Sequence, residues 1–460
     1  MIKLLLNPII ILSVCLSFIT TFSAQNMSGG SNVSLFLCDN GTTNGSGGNL
    51  YGELGNGATT QTSNPIQSNG LTGITAVASG NSHSLFLKSD GTVWACGYNG
   101  NGQLGDGTNV GKTTPFQINS LSGIIGIAAG RYHSLFLKNN GTVWSCGFNN
   151  TGQLGDGSIS DKNTPVQVSS LSGITSIAAG WYHSLFLKND GTVWSCGRND
   201  YGALGNGTLN QENTPVLVNS VNSIIAIDGG NEYSLFLKND GTVRASGWNV
   251  SGQLGDGTTV SKQIPVLISS LSGITKIASA ASFSLFLKNN GIVFACGSNF
   301  YYQLGDGTTI NRLTPVQVNT VTGITSIAVG FQHSLFKKND GTTWGCGNNT
   351  SGQLGDGTII DKTTPVQVTN FCTSAISVKE NFNDNSVLVY PNPTNGILNI
   401  ELNGQQETEL ILYNTNGLQV YTNKLNKTST LDLSNFANGV YSLHLKNSSG
   451  VSSKKLILTK

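Results

Sequence analysis

Four histidines recur at one register of the chain, His83, His133, His183 and His333, and each is followed directly by a serine. An imidazole beside a hydroxyl is the pairing that activates a nucleophile. Neighbouring strand residues point to opposite faces, however, so the two members of each pair diverge. Tyr233, Phe283 and Val33 also occupy the histidine position. A position that accepts Tyr, Phe and Val reads as a packing position at a strand start. Asp106, Asp156, Asp256, Asp306 and Asp356 lie in L-G-D-G turns, with Asn56 and Asn206 in their place elsewhere. Calcium needs several oxygen ligands at close spacing, and each turn offers one carboxylate, so a turn role is expected. Glycine strings such as Gly102 to Gly107 lack the lysine and following helix of a phosphate loop. No catalytic residue, metal site or cofactor is expected.

Cys96, Cys146, Cys196, Cys296 and Cys346 share one register, with Ser246 filling it once. They are expected to be buried small hydrophobes. Cys38 and Cys372 stand outside that series.

These residues share a period of 50. S-L-F-L begins at Ser34, Ser84, Ser134, Ser184, Ser234 and Ser284, and Ser334 opens the variant S-L-F-K. In the repeat running through Ser184, strand a is expected at Ile174 to Ala179, b at His183 to Lys188, c at Thr192 to Cys196 and d at Pro215 to Val218. Asn189-Asp190-Gly191 reads as a positive-φ hairpin turn between b and c. Leu185 and Leu187 alternate with Phe186, apolar on both faces, as in strands sandwiched between neighbours. Seven four-stranded units of this length indicate propeller blades. The formal charge of +1 and the absence of a Lys/Arg-rich block argue against nucleic acid as a partner.

The chain organises into four parts. Residues 1–24 read as an export signal, with Lys3 before an apolar stretch and small residues near Ser23-Ala24. Residues 25–373 form the propeller and 374–385 a polar linker. Residues 386–460 show new short strands, expected as a small β-sandwich. The fold class is all-β.

G-x-x-H-S-L, D/N-G-x-V-W and G-x-N-x-x-G-Q-L-G recur in order over about three quarters of the chain, and they resemble the regulator of chromosome condensation repeat family. The resemblance implies a seven-bladed propeller. Nucleotide exchange on a small GTPase, the activity of the name-giving member, is not expected in an exported protein. Other members are interaction modules, among them a secreted bacterial inhibitor of β-lactamases. Tyr390-Pro391-Asn392-Pro393, Asn438-Gly439-Val440-Tyr441 and the final Lys454-Lys455-Leu456 strand resemble a type IX secretion sorting domain. That resemblance implies the type IX machinery as a partner, passage across the outer membrane and a secreted or cell-surface location.

A binding surface is expected where the repeats differ. Loops a–b and c–d leave one face of the ring and vary, while turns b–c and d–a leave the other and are monotonous. Loop a–b carries Arg131, Tyr132, Trp181, Tyr182 and Phe331. Loop c–d carries Tyr98, Phe148, Arg198, Tyr201 and Trp248, and later Phe300, Tyr301 and Tyr302. Aromatics and Arg dominate interface energetics. The expected function is a protein-binding module of inhibitor or scaffold type, with an extracellular protein as partner. A glycan-binding adhesin is the alternative, and an enzyme a distant third.

The ends of the ring raise one further expectation. The first blade enters almost directly at strand b, near Val33-Ser34, with no strand a in sight. Residues 364–378 are therefore expected to complete it as strands d and a, which removes two exposed edges. Cys38 and Cys372 then come together at the lower face, within reach of a disulfide.

Overall fold

The computed structural model describes residues 26–369, 372, 387–402, 407–414, 419–425, 429–447 and 450–459. The proposed export signal and linker, and the strand a expected at 374–378, lie outside the described residues. The chain divides into two units, Met1–Cys372 and Thr373–Lys460.

The first unit consists of seven four-stranded antiparallel sheets, each built from one contiguous stretch of chain. In the fourth blade the strands are Ile174–Ala179, His183–Lys188, Val193–Gly197 and Glu212–Leu217. Register runs Ile177 to Phe186 to Trp194 to Leu217 across the sheet, with an irregularity between Ser195 and Gly197. The b–c turn has the expected positive φ, at Gly191, of 77°. Asp190 accepts hydrogen bonds from the Thr192 amide and hydroxyl, at 2.9 and 2.6 Å, which hold the turn.

The alternation in strand b divides the core between neighbours. Leu185 and Leu187 pack with Val218, Ile224 and Phe236 toward the next blade. Phe186 and Cys196 pack with Leu135 and Leu137 of the preceding one. Six of the seven seams are therefore a two-leucine face against a phenylalanine, with Lys337 in place of the second leucine in the seventh blade, and burial on both faces follows from it. The five cysteines of the repeat register are buried, and burial pushes their thiols far above the usual range.

Ring closure corrects the sequence expectation. Met27–Gly29 forms strand a of the first blade, pairing Met27 with Phe36 and Gly29 with Ser34. Lys362–Gln367 remains strand d of the seventh blade, against Trp344. No strand is exchanged among the described residues. Closure uses the ordinary seam, with Met27 and Phe36 packed against Ala328, Leu335 and Val368. A three-residue Met-Ser-Gly strand escapes an apolar-pattern reading because it lacks the alternation of its homologous segments. The disulfide is nevertheless present, between Cys38 and Cys372 with Cα atoms 5.3 Å apart and a sequence separation of 334. It joins the end of blade seven to the end of strand b in blade one, without the strand exchange invoked for it.

The second unit holds two sheets. Leu398, Ile400 and Leu431 of one pack against Leu410, Leu412, Leu443, Leu445 and Leu456 of the other, giving the expected sandwich. Strand Ser429–Asp432 was not expected from its sequence, S-T-L-D, which is short and carries one apolar residue.

Candidate functional site

The histidines lie fully buried in the seams. Ser134 Oγ donates to the Gln103 carbonyl at 2.7 Å, which leaves it to accept from His83 Nε2 at 3.0 Å. The same pairing links His133 to Ser184, His183 to Ser234 and, across the closure, His333 to Ser34. Each histidine thus meets the serine of the next blade rather than its own neighbour. Where Tyr233 replaces histidine, its hydroxyl donates to the Phe283 carbonyl and accepts from Ser284. The position is a polar clamp between blades, not only a packing position. Burial holds the imidazole pKa at about 3 for His83, His133 and His333, and about 4 for His183. Neutral, solvent-excluded imidazoles of this kind hold blades together.

The variable loops are organised by a residue the sequence reading passed over. Asn99 is buried; its Nδ2 donates to Asp106 Oδ1 at 3.0 Å and to the Thr108 and Val110 carbonyls. Its Oδ1 accepts from the Leu104 amide. Asn149, Asn249 and Asn349 repeat the arrangement with Asp156, Asp256 and Asp356. The aspartates are turn residues, as expected, and among the described residues no group of three His, Cys, Asp or Glu side chains could hold a metal.

On this frame the aromatic side chains line up. Tyr98 meets Tyr132 at 6.2 Å between ring centroids, Tyr132 meets Phe148 at 6.3 Å, and Phe148 meets Tyr182 at 6.3 Å, all edge-to-face. Tyr51 extends the arc into blade one, 5.0 Å from Tyr98. It shares a register with Tyr201 and Tyr301, so the period alone could have found it. Arg198 continues the arc over Tyr182 at 5.6 Å, paired at 2.7 Å with both Asp200 and Glu232. Tyr201 with Trp248 and Phe300 with Tyr301 form separate pairs, at 6.0 and 5.0 Å. The rings and Arg198 are partly or fully exposed.

Tyr302 stands where six blades have glycine. At Gly102 a Cβ would lie 2.4 Å from the Asn163 Cα of the next blade, and Gly102 has φ of +84°. Tyr302 adopts +64° all the same. A bulky residue there is strained.

Inside the arc, a central channel of about 640 Å³ runs between the inner strands of the blades. Trp181 and Phe331, from blades four and seven, stack at 4.9 Å and line it together with Arg131. Asp228 also lines the channel, with its carboxyl pushed up to about 6 by burial while it accepts the Ser279 amide at 2.6 Å. Outside the arc, the same loops expose Val110, Leu209, Val260, Ile310 and Ile360. This aliphatic rim was also missed, because its residues sit in loops whose glycine and threonine dominate the pattern.

The sequence profile of the RCC1-like domain matches residues 16–273, more than half of the chain. The chain belongs to the RCC1-like domain family. RCC1 repeat profiles match 290–336 and 340–379, and 274–303 and 324–353. The secretion system C-terminal sorting domain matches 388–459, so this RCC1-like protein carries an address for secretion. No match was found among curated proteins. Among solved structures, yeast RCC1 (Prp20) bound to Kap60 is similar at 22% identity and a TM-score of 0.65, over 76% of this chain and 87% of that one. Prp20p from Saccharomyces cerevisiae, described with its binding to Gsp1p and histones, is 23% identical with a TM-score of 0.63, over 76% and 88%. Human WBSCR16 is 23% identical with a TM-score of 0.61, over 74% and 94%. At these identities the likeness establishes the fold.

Proposed function

We propose that this RCC1-like protein is a binding module, exported and presented outside the cell, that holds a protein partner on its a–b and c–d loop face. One observation carries this reading: an unbroken arc of rings from Tyr51 through Tyr98, Tyr132 and Phe148 to Tyr182, crossing four blades on the face where the repeats differ. Partly exposed aromatics flanked by arginine are the usual anchors of protein interfaces. The aliphatic rim of Val110, Val260 and Ile310 favours a protein over a sugar, since exposed aliphatic side chains suit an apolar partner surface. Catalysis has less support, because the histidine–serine pairs are enclosed in the seams.

The mature propeller, and a Tyr132→Ala/Phe148→Ala variant, are offered to extracts of neighbouring cell surfaces and to a glycan array. A protein retained by the first and lost with the second is the expected outcome. Retention of glycans alone moves the reading to an adhesin, and equal retention by both forms sinks it. For the sorting domain we expect removal during export, so that exported protein ends well before Lys460. Mass spectrometry of that protein reads this directly, and an intact C-terminus counts against it.

A further inference from the structure

The four arginines of the propeller are not equivalent. Arg198 is paired with Asp200 and Glu232, Arg312 with Asp306, and Arg244 donates to the Pro265 carbonyl. Arg131, at the mouth of the channel, has no carboxylate partner among the described residues. It lies over three rings instead: Trp181 at 4.7 Å, Tyr132 at 5.2 Å and Tyr182 at 5.5 Å. One Nη1 hydrogen donates to the Tyr182 hydroxyl, and Nε is shielded from solvent with no acceptor.

Three aromatic faces hold the guanidinium in place and strip part of its hydration, but they supply no counter-charge. A cation so placed is strongly attractive to an anion that can reach it, and its planar fork of N–H groups matches the two oxygens of a carboxylate. The channel mouth offers one such cation, which balances a singly charged carboxylate rather than a phosphate dianion. Tyr132 and Tyr182 belong both to this cage and to the arc, so a group bound at Arg131 is flanked by rings suited to apolar side chains.

We propose that the Arg131 cage is a carboxylate-recognition site, and that the partner inserts an Asp or Glu side chain, flanked by apolar residues, at the channel mouth. This rests on the protein-binding reading of the loop face and specifies its chemistry. Charge pairing at the centre of an apolar contact fixes register and excludes partners that lack the acid.

A displayed library of random twelve-residue peptides is the probe. It is selected in parallel on the mature propeller, on Arg131→Gln, on Arg131→Lys and on Tyr98→Ala/Phe148→Ala, with melting temperatures confirming that each folds. Peptides selected on the native protein are expected to share one acidic residue beside apolar ones. Changing that residue to its amide should weaken binding at least tenfold on the native protein and under twofold on Arg131→Gln. Arg131→Lys, which keeps the charge and loses the fork, should fall between the two. Non-additivity of this kind locates the contact at Arg131 and is not produced by a general loss of folding. Peptides that depend on Tyr98 and Phe148 but carry no shared acid, or that bind Arg131→Gln equally well, overturn the carboxylate site and leave the binding face standing. Failure to select any peptide overturns both. Preferential binding of sialylated over neutral glycans, without peptide selection, assigns the carboxylate to a sugar and also overturns the proposal.

Discussion

The seams are made by the strands and the loop face by the loops that join them, yet the two follow different rules. In a seam, each blade must fit its neighbour, so Leu185 and Phe186 recur in every blade and are fully buried. On the loop face, the invariant Asn99-type residue and the G-Q-L-G-D-G segment fix the backbone, while the side chains at the Tyr98, Asn101, Asn109 and Val110 positions differ from blade to blade. The difference teaches that variation in this chain is confined by packing, and that the face can be altered with little effect on the ring.

Acidification should separate the two regions most sharply. The seam histidines titrate at about 3 to 4 when folded, below the ordinary 6.5, so the unfolded chain binds more protons in between and stability falls as pH drops through 6.5. At pH 5 this amounts to about 2 kcal/mol per histidine relative to pH 7.5. Asp228, raised to about 6, has the opposite sign and returns about 1 kcal/mol over the same range. Denaturant midpoints at the two pH values measure the net loss of several kcal/mol. A flat profile would mean that the histidines are not neutral clamps.

Replacing Cys38 and Cys372 with alanine comes next, with a loss of up to about 5 kcal/mol from the unfolded-chain entropy that the link removes. Thermal unfolding with and without reductant reads it, and a change below about 1 kcal/mol would show the seam alone closing the ring. His133→Ala should cost about 3 kcal/mol through a cavity and the lost bond to Ser184. If it costs no more than an exposed-loop change, the contrast between seam and face collapses. The smallest effect is a gain. Tyr302→Gly should stabilise the protein by about 1 kcal/mol by relieving its positive φ, while weakening partner binding. A loss of stability instead would place Tyr302 with the scaffold.

The blades, their strand order and the identity of the variable face were legible because the 50-residue period repeats every local rule seven times. The clamp was not. His83 bonds to Ser134, a residue of the next blade, and Ser284 and Ser334 persist opposite Tyr233 and Phe283, so no pairing signal appears in the chain. Strand a of the first blade was missed because Met27-Ser28-Gly29 carries no apolar alternation, although counting 50 back from Val77 reaches Met27. The arc was legible in part: its members were named as loop residues, but edge-to-face contact between blades depends on a curvature that composition does not encode. Arg198 has an acid two residues on, at Asp200, and Arg131 has none nearby, but the stacking of Arg131 on Trp181 and Tyr182 of the next blade is set by the fold.

The Cys38–Cys372 link also decides how the ring bears tension. A pull on the chain beyond residue 372 would otherwise act on Lys362–Gln367, an outermost strand bonded to a neighbour on one side, and could peel it away one hydrogen bond at a time. With the link in place, the load passes to Cys38 at the end of Val33–Leu37. That strand is bonded to Met27–Gly29 on one side and Thr43–Gly47 on the other. A pull on the propeller through the chain that follows residue 372 is then resisted by shearing an inner strand between two neighbours, and blade seven is spared from unravelling.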